Sequence, residues 1–168
     1  QVADAEHAAL ERAQLACQAH GLAPGSYQLQ GEIAACHARA ARAEDTDWPR
    51  MAALYAELMR VAPSPVVELN RAVAVCMAEG PQAGLDVLAP LLANPALKRY
   101  HWLPAVEGDF LRRLGQKKAA QGALLRAASL ASNAREQALL RQKAADLAAE
   151  LAAELSAQRA DLPDNLAP

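Results

Sequence analysis

The chain has 168 residues, of which 53% are hydrophobic, and a formal net charge of -2. This composition is too apolar and too weakly charged for a disordered protein. Its 43 alanines and 25 leucines far outnumber its 8 valines, 1 isoleucine and 1 threonine. Helices draw on Ala and Leu, whereas strands need β-branched and aromatic side chains. We therefore predict an all-α protein, and the pI near 6.1 predicts no bulk attraction for nucleic acid.

Local sequence patterns disfavour membrane, secretory and metal-binding classes. A charged or amide residue interrupts every apolar stretch before the roughly 18 residues that a membrane helix needs, and no secretory signal pattern is present. Cys17, Cys36 and Cys76 are widely spaced without a CxxC pair, which predicts buried, reduced thiols in the cytoplasm. The histidines are scattered, so we expect neither a metal site nor a cofactor. Because the chain begins at Gln1 and not at Met, we expect it to be a segment of a longer protein.

Helix start and stop signals divide the chain into about eight helices. The predicted helices are Asp4 to His20, a second that opens at Pro24 to Ser26 and ends near Ala43, a third that follows Asp47 and ends before Pro63, then Val66 to Glu79, Pro81 to Ala93, Tyr100 to Leu114, Gln116 to Ala131 and Ala134 to Arg159. The short connections predict antiparallel neighbours. We expect residues 1–160 to form one helical domain and residues 161–168 to be a disordered tail.

Two of the helix starts carry capping signals. Either Thr46 or Asp47 can cap the third helix, because both side chains accept hydrogen bonds from backbone N–H groups. Ser64 can cap the fourth helix, with Pro65 in the first helical position, where a missing N–H costs nothing. Trp48 is open to two interpretations, packing within its own hairpin or forming a recognition platform. We predict capping for Asp47 and Ser64 and a packing role for Trp48.

An internal period is visible in the second half of the chain. The order of small, bulky and turn residues there resembles a tetratricopeptide (TPR) repeat and runs through Gly108, Leu111, Gly115, Ala120, Leu124 and Ala127. The small pair Gly108 and Ala120 would let the two helices of a hairpin approach closely. Two looser units precede it, one with Tyr55, Leu58 and Pro63, the other with Val73, Gly80, Gly84 and Leu88. The period predicts a right-handed α-solenoid of about three hairpins with a long C-terminal capping helix, and an irregular helical bundle is the alternative.

The repeat phase also selects a candidate interaction surface, because the first helix of each hairpin lines the concave groove of a TPR solenoid. By this phase Asn70, Ala74 and Met77 would face that groove, as would Asp109 and Arg112 one hairpin later. Asn70 is unfavourable in mid-helix unless it is bonded, so it forms either a buried inter-repeat hydrogen bond or a ligand contact. Arg71 and Arg113 could pair with acidic neighbours or bind a partner, and a solvated helix face is the default interpretation for both. The candidate surface comprises Asn70, Arg71, Asp109, Arg112, Arg113 and His37.

Catalysis is not expected from this sequence. Asp47 or Asp109 could pair with His37 or His101 as an acid–base couple. The chain shows no nucleophile in a motif, no glycine-rich phosphate loop and no paired carboxylates at a fixed spacing. We predict a protein without enzymatic activity.

Several short motifs occur in a distinctive order along the chain. They are Tyr27 to Gln30, Ile33 to Ala38, Thr46 to Trp48, Leu54-Tyr55, Pro63 to Val75, Gly80-Pro81, Gly84-Leu85, Tyr100-His101, Leu103 to Ala105 and Leu111 to Gly115. In this order they resemble the C-terminal extension of certain bacterial extracytoplasmic-function (ECF) sigma factors, in which a TPR-like domain follows two DNA- and polymerase-binding sigma regions. The resemblance covers about Leu10 to Leu147. It departs at Glu107-Gly108-Asp109, where the family usually has Arg-Ala-Asp.

The resemblance implies a role in transcription initiation through protein contacts. Family members recruit RNA polymerase to promoters, and the extension controls or supports that activity. The promoter-reading and polymerase-binding regions would lie N-terminal to Gln1, so we expect no direct DNA binding by this chain. The implied function is a regulatory domain that contacts its own sigma regions, core polymerase, or a regulatory protein or peptide. The alternative is a generic TPR adaptor that binds a peptide in its groove.

Overall fold

A computed structural model describes residues 25–40 and 43–160 of the chain. These residues form seven α-helices and no strand, which confirms the all-α prediction for the described part. The helices are α1 (Ser26–Arg39), α2 (Trp48–Val61), α3 (Pro65–Glu79), α4 (Pro81–Leu92), α5 (Trp102–Arg113), α6 (Lys117–Leu130) and α7 (Ala134–Ala160). The predicted first helix, Asp4 to His20, and the predicted tail from Asp161 to Pro168 lie outside the described residues.

The predicted caps hold the starts of α2 and α3. The Asp47 carboxylate accepts a hydrogen bond from the Arg50 backbone N–H at 3.0 Å, and the Ser64 hydroxyl accepts one from the Val66 N–H at 3.2 Å. Each bond satisfies an N–H that has no partner within its own helix. Asp47, and not Thr46, is therefore the cap of α2.

Glycines close two helices, as the stop signals predict. Gly80 follows α3 with φ at +105°, and Gly115 follows α5 with φ at +78°. A side chain at either position would be strained, because L-residues other than glycine rarely adopt positive φ. Two short 3₁₀ helices, Ala43–Asp45 and Pro95–Leu97, were not predicted. The Asn94 side chain, which accepts a hydrogen bond from the Ala96 N–H at 3.0 Å, caps the second of them.

By its internal contacts the chain divides into two compact units, residues 1–88 and residues 89–168. Within the first unit α1 contacts α2, and α2 contacts α3. An apolar cluster joins these three helices and comprises Leu29, Ile33, Met51, Leu54, Leu58 and Ala74. A 2.8 Å ion pair between Glu32 of α1 and Arg50 of α2 lies at its edge. Cys76 is buried and Cys36 partly buried, and neither is in a disulfide, while Cys17 lies outside the described residues.

Within the second unit α6 contacts both α5 and α7. The buried apolar cluster there, which we call the α6–α7 cluster, comprises Ala120, Leu124, Ala127, Ala128, Ala131, Leu140, Ala144 and Leu147, and Ala105 and Leu111 of α5 pack against it. Five of its members are alanines, so the helices lie close together with few large side chains between them. None of the described helices combines the length and apolar character needed to cross a membrane.

The closest approach within the α5–α6 hairpin is at Gly108. A Cβ atom added there would lie 2.8 Å from Leu124 Cγ, 3.0 Å from Leu124 Cδ2 and 3.3 Å from the Ala120 carbonyl oxygen. Real Cβ contacts are essentially never shorter than 3.0 Å, so a residue with a Cβ at this position would require Leu124 or the helix backbone to shift. The prediction that Gly108 and Ala120 form the small pair of this hairpin is confirmed.

Candidate interaction surface

Three of the predicted surface residues form one ion network near the C-terminus of α5. The Asp109 carboxylate accepts a hydrogen bond from Arg112 Nη2 at 2.9 Å and another from Arg113 Nε at 2.8 Å. The three side chains are between 40% and 51% exposed. One carboxylate therefore organises two guanidinium groups on an accessible part of the helix, and the network carries a net positive charge.

Two opposing effects determine the protonation of Asp109. Burial alone would raise the pKa of its carboxyl, but the hydrogen bonds and charges of Arg112 and Arg113 outweigh burial and hold the pKa below its ordinary 3.8. The carboxylate is therefore charged at neutral pH, and it holds both guanidinium groups in defined positions.

The contribution of Asp109 to stability should depend on pH. Because its pKa is lower in the folded chain, its charge stabilises the fold above pH 3.8, and this contribution is lost as the pH falls through the folded value. The carboxylate is partly solvated, so we expect only about 0.5–1 kcal/mol. Urea unfolding should show Asp109→Asn less stable than the parent by that amount at about pH 7 and equal to it at about pH 2. An Asp109→Asn effect that persists at the low pH would contradict this explanation. In the Arg112→Gln/Arg113→Gln background Asp109 should no longer stabilise the fold at neutral pH, because burial alone raises the pKa of its carboxyl.

An exposed tryptophan extends this face of α5, and sequence reasoning missed it. Trp102 is 45% exposed, and its ring lies against that of His101, with centroids 4.6 Å apart. His101 Nε2 is 3.3 Å from a carboxylate oxygen of Glu136, the first acidic residue of α7. That nitrogen makes no hydrogen bond in good geometry, so the contact is at most an ion pair when His101 is protonated. The spacing of Trp102 from Asp109 and Arg113, seven and eleven residues, is the signal that could have revealed it.

On α3 the predicted surface residues have separate environments. Arg71 is bound within its own helix, where Nε and Nη2 donate to the Glu68 carboxylate at 2.8 and 2.7 Å. Asn70 is exposed, so the expectation of a buried hydrogen bond for it is wrong, and a ligand contact stays a prediction. Ala74 was assigned to the open groove, but it is only 1% exposed in the cluster that joins α1, α2 and α3. Met77 is 37% exposed.

His37 lies at the end of α1 and contacts α2. Its exposed imidazole meets the Trp48 indole edge to face, with centroids 6.2 Å apart and the planes 81° to each other. Trp48 also packs against the apolar cluster of the first unit, and its indole N–H is buried without a hydrogen-bond acceptor in the described structure. Trp48 thus packs within its own hairpin, and His37 is tied to it and not to the residues on α3.

A second surface feature, a cleft of about 600 Å³, lies between the start of α6 and the last turns of α7. Leu151 and Leu155 supply its apolar part, and Lys118 and Gln121 line the opposite side. Beside it Lys117 is 3.0 Å from Glu150 and also pairs with Glu154. The hydrogen bonds to these two carboxylates raise the pKa of the Lys117 amine. In the described ranges no three His, Cys, Asp or Glu side chains are grouped so that they could hold a metal ion.

The chain is similar to an uncharacterized protein of Rhizobium meliloti (strain 1021), with 48% identity over 125 residues. The matched segment covers 74% of this chain and 29% of the Rhizobium protein. The chain therefore corresponds to less than a third of that relative. No protein-family model matches the chain, and no solved structure matches it.

Proposed function

We propose that the chain is the C-terminal regulatory and protein-interaction domain of a bacterial ECF sigma factor. In this proposal its hairpins form a right-handed TPR-like solenoid in the cytoplasm. The domain acts in transcription initiation through contacts with its own sigma regions, with core RNA polymerase or with a regulatory protein. It requires no cofactor or metal and catalyses no reaction.

The observation that carries the proposal is the α5–α6 hairpin. Its helices approach closely at Gly108 and Ala120, the small pair of the repeat spacing, and Leu124 lies against Gly108. With this packing on one side, α5 exposes Asp109, Arg112 and Trp102. A helix that is packed on one side and carries charged and aromatic groups on the other is suited to binding proteins.

The Rhizobium relative supports a modular arrangement. Because the matched segment is 29% of that protein, more than two thirds of its length lies outside the match. This leaves room for the two sigma regions that the resemblance places N-terminal to the extension. The ordered motifs from Tyr27 to Gly115 supply the link to sigma factors, and the similarity to the relative supplies the link to a longer protein.

A generic TPR adaptor that binds a peptide in its groove is the second candidate. The observation in its favour is again α5, because the ion network of Asp109 and the exposed ring of Trp102 lie on one helix. Such a helix could bind a peptide in the absence of any sigma region.

Co-purification separates the two candidates. The purified chain should retain its own sigma regions, or core RNA polymerase, on an affinity column. The double variant Asn70→Ala/Arg112→Ala should weaken that binding, and lower transcription by the complete protein, without changing the melting temperature. Retention of a short peptide with no retention of sigma regions or polymerase would overturn the sigma-factor proposal in favour of the adaptor. A large fall in melting temperature would make these two residues structural.

A further inference from the structure

The exposed side of α5 carries aromatic, aliphatic and ionic groups in one row. Trp102, Val106, Asp109 and Arg113 follow one another at intervals of four, three and four residues, which is the spacing of a single helix face. Arg112 lies beside the end of the row, bound to Asp109. With a rise of about 1.5 Å per residue, the row from Trp102 to Arg113 is about 16 Å long. We call these five residues the α5 face.

Charge on this part of the chain is opposite in sign to that of the whole. Residues 98–113 contain four cationic side chains, Lys98, Arg99, Arg112 and Arg113, and two anionic ones, Glu107 and Asp109, in a chain of net charge -2. Glu107 is engaged elsewhere, because it accepts a hydrogen bond from Arg126 of α6 at 3.0 Å. Within the α5 face itself two guanidinium groups share the single carboxylate of Asp109, and an exposed aromatic ring lies at the other end.

We propose that the α5 face binds an acidic segment of a partner protein that also carries a large apolar side chain. This inference rests on the proposed function, since it specifies the chemistry of the partner that the interaction domain takes. A guanidinium has five N–H donors, and Arg112, which is 51% exposed, directs one of them to Asp109. Its solvent-facing donors can bind a partner carboxylate, and Arg113 adds a second positive charge beside it.

The apolar end of the row requires more than an acidic residue. Trp102 offers its exposed ring, and Val106 is partly buried one turn away. An apolar side chain of the partner that covers this ring is removed from water, and Trp and Arg are the residues that most often dominate the binding energy of protein interfaces. An apolar contact at one end and an acidic contact at the other, along about 16 Å, match a short helix or extended segment of the partner.

A nucleic acid fits the face less well. Its binding depends on neutralising many phosphates, whereas the α5 face has two guanidinium groups and one carboxylate, in a chain with a pI near 6.1. The stacked ring and the paired arginines instead provide one apolar and one ionic contact close together. RNA and DNA oligonucleotides therefore serve as competitors in the test.

The test uses fluorescence of Trp102 in the complete chain. Trp48→Phe leaves Trp102 as the single tryptophan, and the probe is a synthetic peptide in which aspartates and glutamates alternate with leucines. Peptide binding should shift the Trp102 emission to shorter wavelength. Arg112→Gln/Arg113→Gln keeps most of each side-chain stem and should weaken binding about tenfold or more. Trp102→Ala should weaken binding of the fluorescently labelled peptide to a similar degree.

The matched control is Arg135→Gln/Arg141→Gln, which removes two exposed arginines from α7 and so changes the net charge equally. It should leave the affinity nearly unchanged. If this control loses as much affinity for the peptide as the α5 variant does, binding depends only on net charge, and the proposal is overturned. Tighter binding of an oligonucleotide than of the peptide would also overturn it, as would equal binding of a peptide whose carboxylates are replaced by amides.

The same experiments separate this inference from the proposed function. If the chain retains its sigma regions or polymerase and the α5 variants bind them as the parent does, the inference fails and the proposed function stands. If the acidic peptide binds at the α5 face but neither sigma regions nor polymerase is retained, the sigma-factor proposal fails and the inference stands for an adaptor. Unchanged circular dichroism and melting temperature of the glutamine variants would show that lost binding reflects the surface and not the fold.

Discussion

Leu124→Ala should lower the free energy of unfolding by about 2–5 kcal/mol, the usual cost of truncating a buried leucine. Leu124 is 4% exposed in the α6–α7 cluster, and it also covers Gly108 of α5. Most of its neighbours in the cluster are alanines. Their short side chains cannot move into the space that the leucine leaves, so the cost should fall in the upper part of that range.

The adjacent leucine is a matched control. Leu125 has the same chemistry on the same helix but is 47% exposed, so Leu125→Ala should change stability by no more than about 0.5 kcal/mol. Both variants can be followed by urea unfolding in a Trp48→Phe background, with Trp102 of α5 as the reporter. Equal effects of the two substitutions would contradict the packing described for α5, α6 and α7.

Gly108→Ala should lower the free energy of unfolding by about 1–2 kcal/mol, although alanine is the better helix former. Replacing Gly by Ala within a helix ordinarily stabilises the helix by about 0.5–1 kcal/mol. The new Cβ would lie 2.8 Å from Leu124 Cγ, which is an inner atom of a buried side chain and cannot easily move aside. Overpacking of this kind costs about 1–3 kcal/mol, so the loss outweighs the gain.

Gly122→Ala on α6 is the control for Gly108→Ala. The nearest atom to a Cβ at Gly122 is Arg126 Nη1 at 3.7 Å, an ordinary contact, so this substitution should stabilise the chain by about 0.5–1 kcal/mol. The double variant Gly108→Ala/Leu124→Ala should lose less stability than the sum of its two single variants, because the new methyl group enters space that the leucine has left. Stabilisation by Gly108→Ala, or strict additivity in the double variant, would refute the close approach at Gly108.

Local rules accounted for most of the helices. Asp47, Ser64, Gly80 and Gly115 act within one or two turns of the chain, through hydrogen bonds or positive φ angles, so sequence alone could predict their roles. The close pair Gly108 and Ala120 could be predicted because the repeat spacing specifies which residues of a hairpin meet.

The environment of a residue that lies between several helices was harder to predict from the sequence. Repeat phase predicts that Ala74 faces an open groove, but Ala74 is buried in a cluster that also contains residues of α1 and α2. Asn70 lies one turn before Ala74 on α3, and its side chain is nevertheless exposed. A rule based on helix propensity could say only that its amide needs a hydrogen-bond partner, and water can fill that role.

The α5 face could likewise be predicted only in part from the sequence. Sequence reasoning selected Asp109, Arg112 and Arg113, and the structure joins them in one network. It did not select Trp102, because exposure of a tryptophan next to the buried Leu103 depends on how α5 is rotated against α6. The sequence thus indicated the ionic part of the surface, and the apolar part required the helix orientation.

Promoter-dependent transcription by the complete protein, with and without this domain, is the most direct test of the central proposal. The assay combines core RNA polymerase with the protein, with a truncated form that ends before the domain, and with the Arg112→Gln/Arg113→Gln variant. We predict that the complete protein supports initiation, that removal of the domain changes its rate severalfold, and that the glutamine variant shifts the rate in the same direction. Absence of polymerase-dependent initiation by the complete protein, or the same rate with and without the domain, would contradict a regulatory role in transcription.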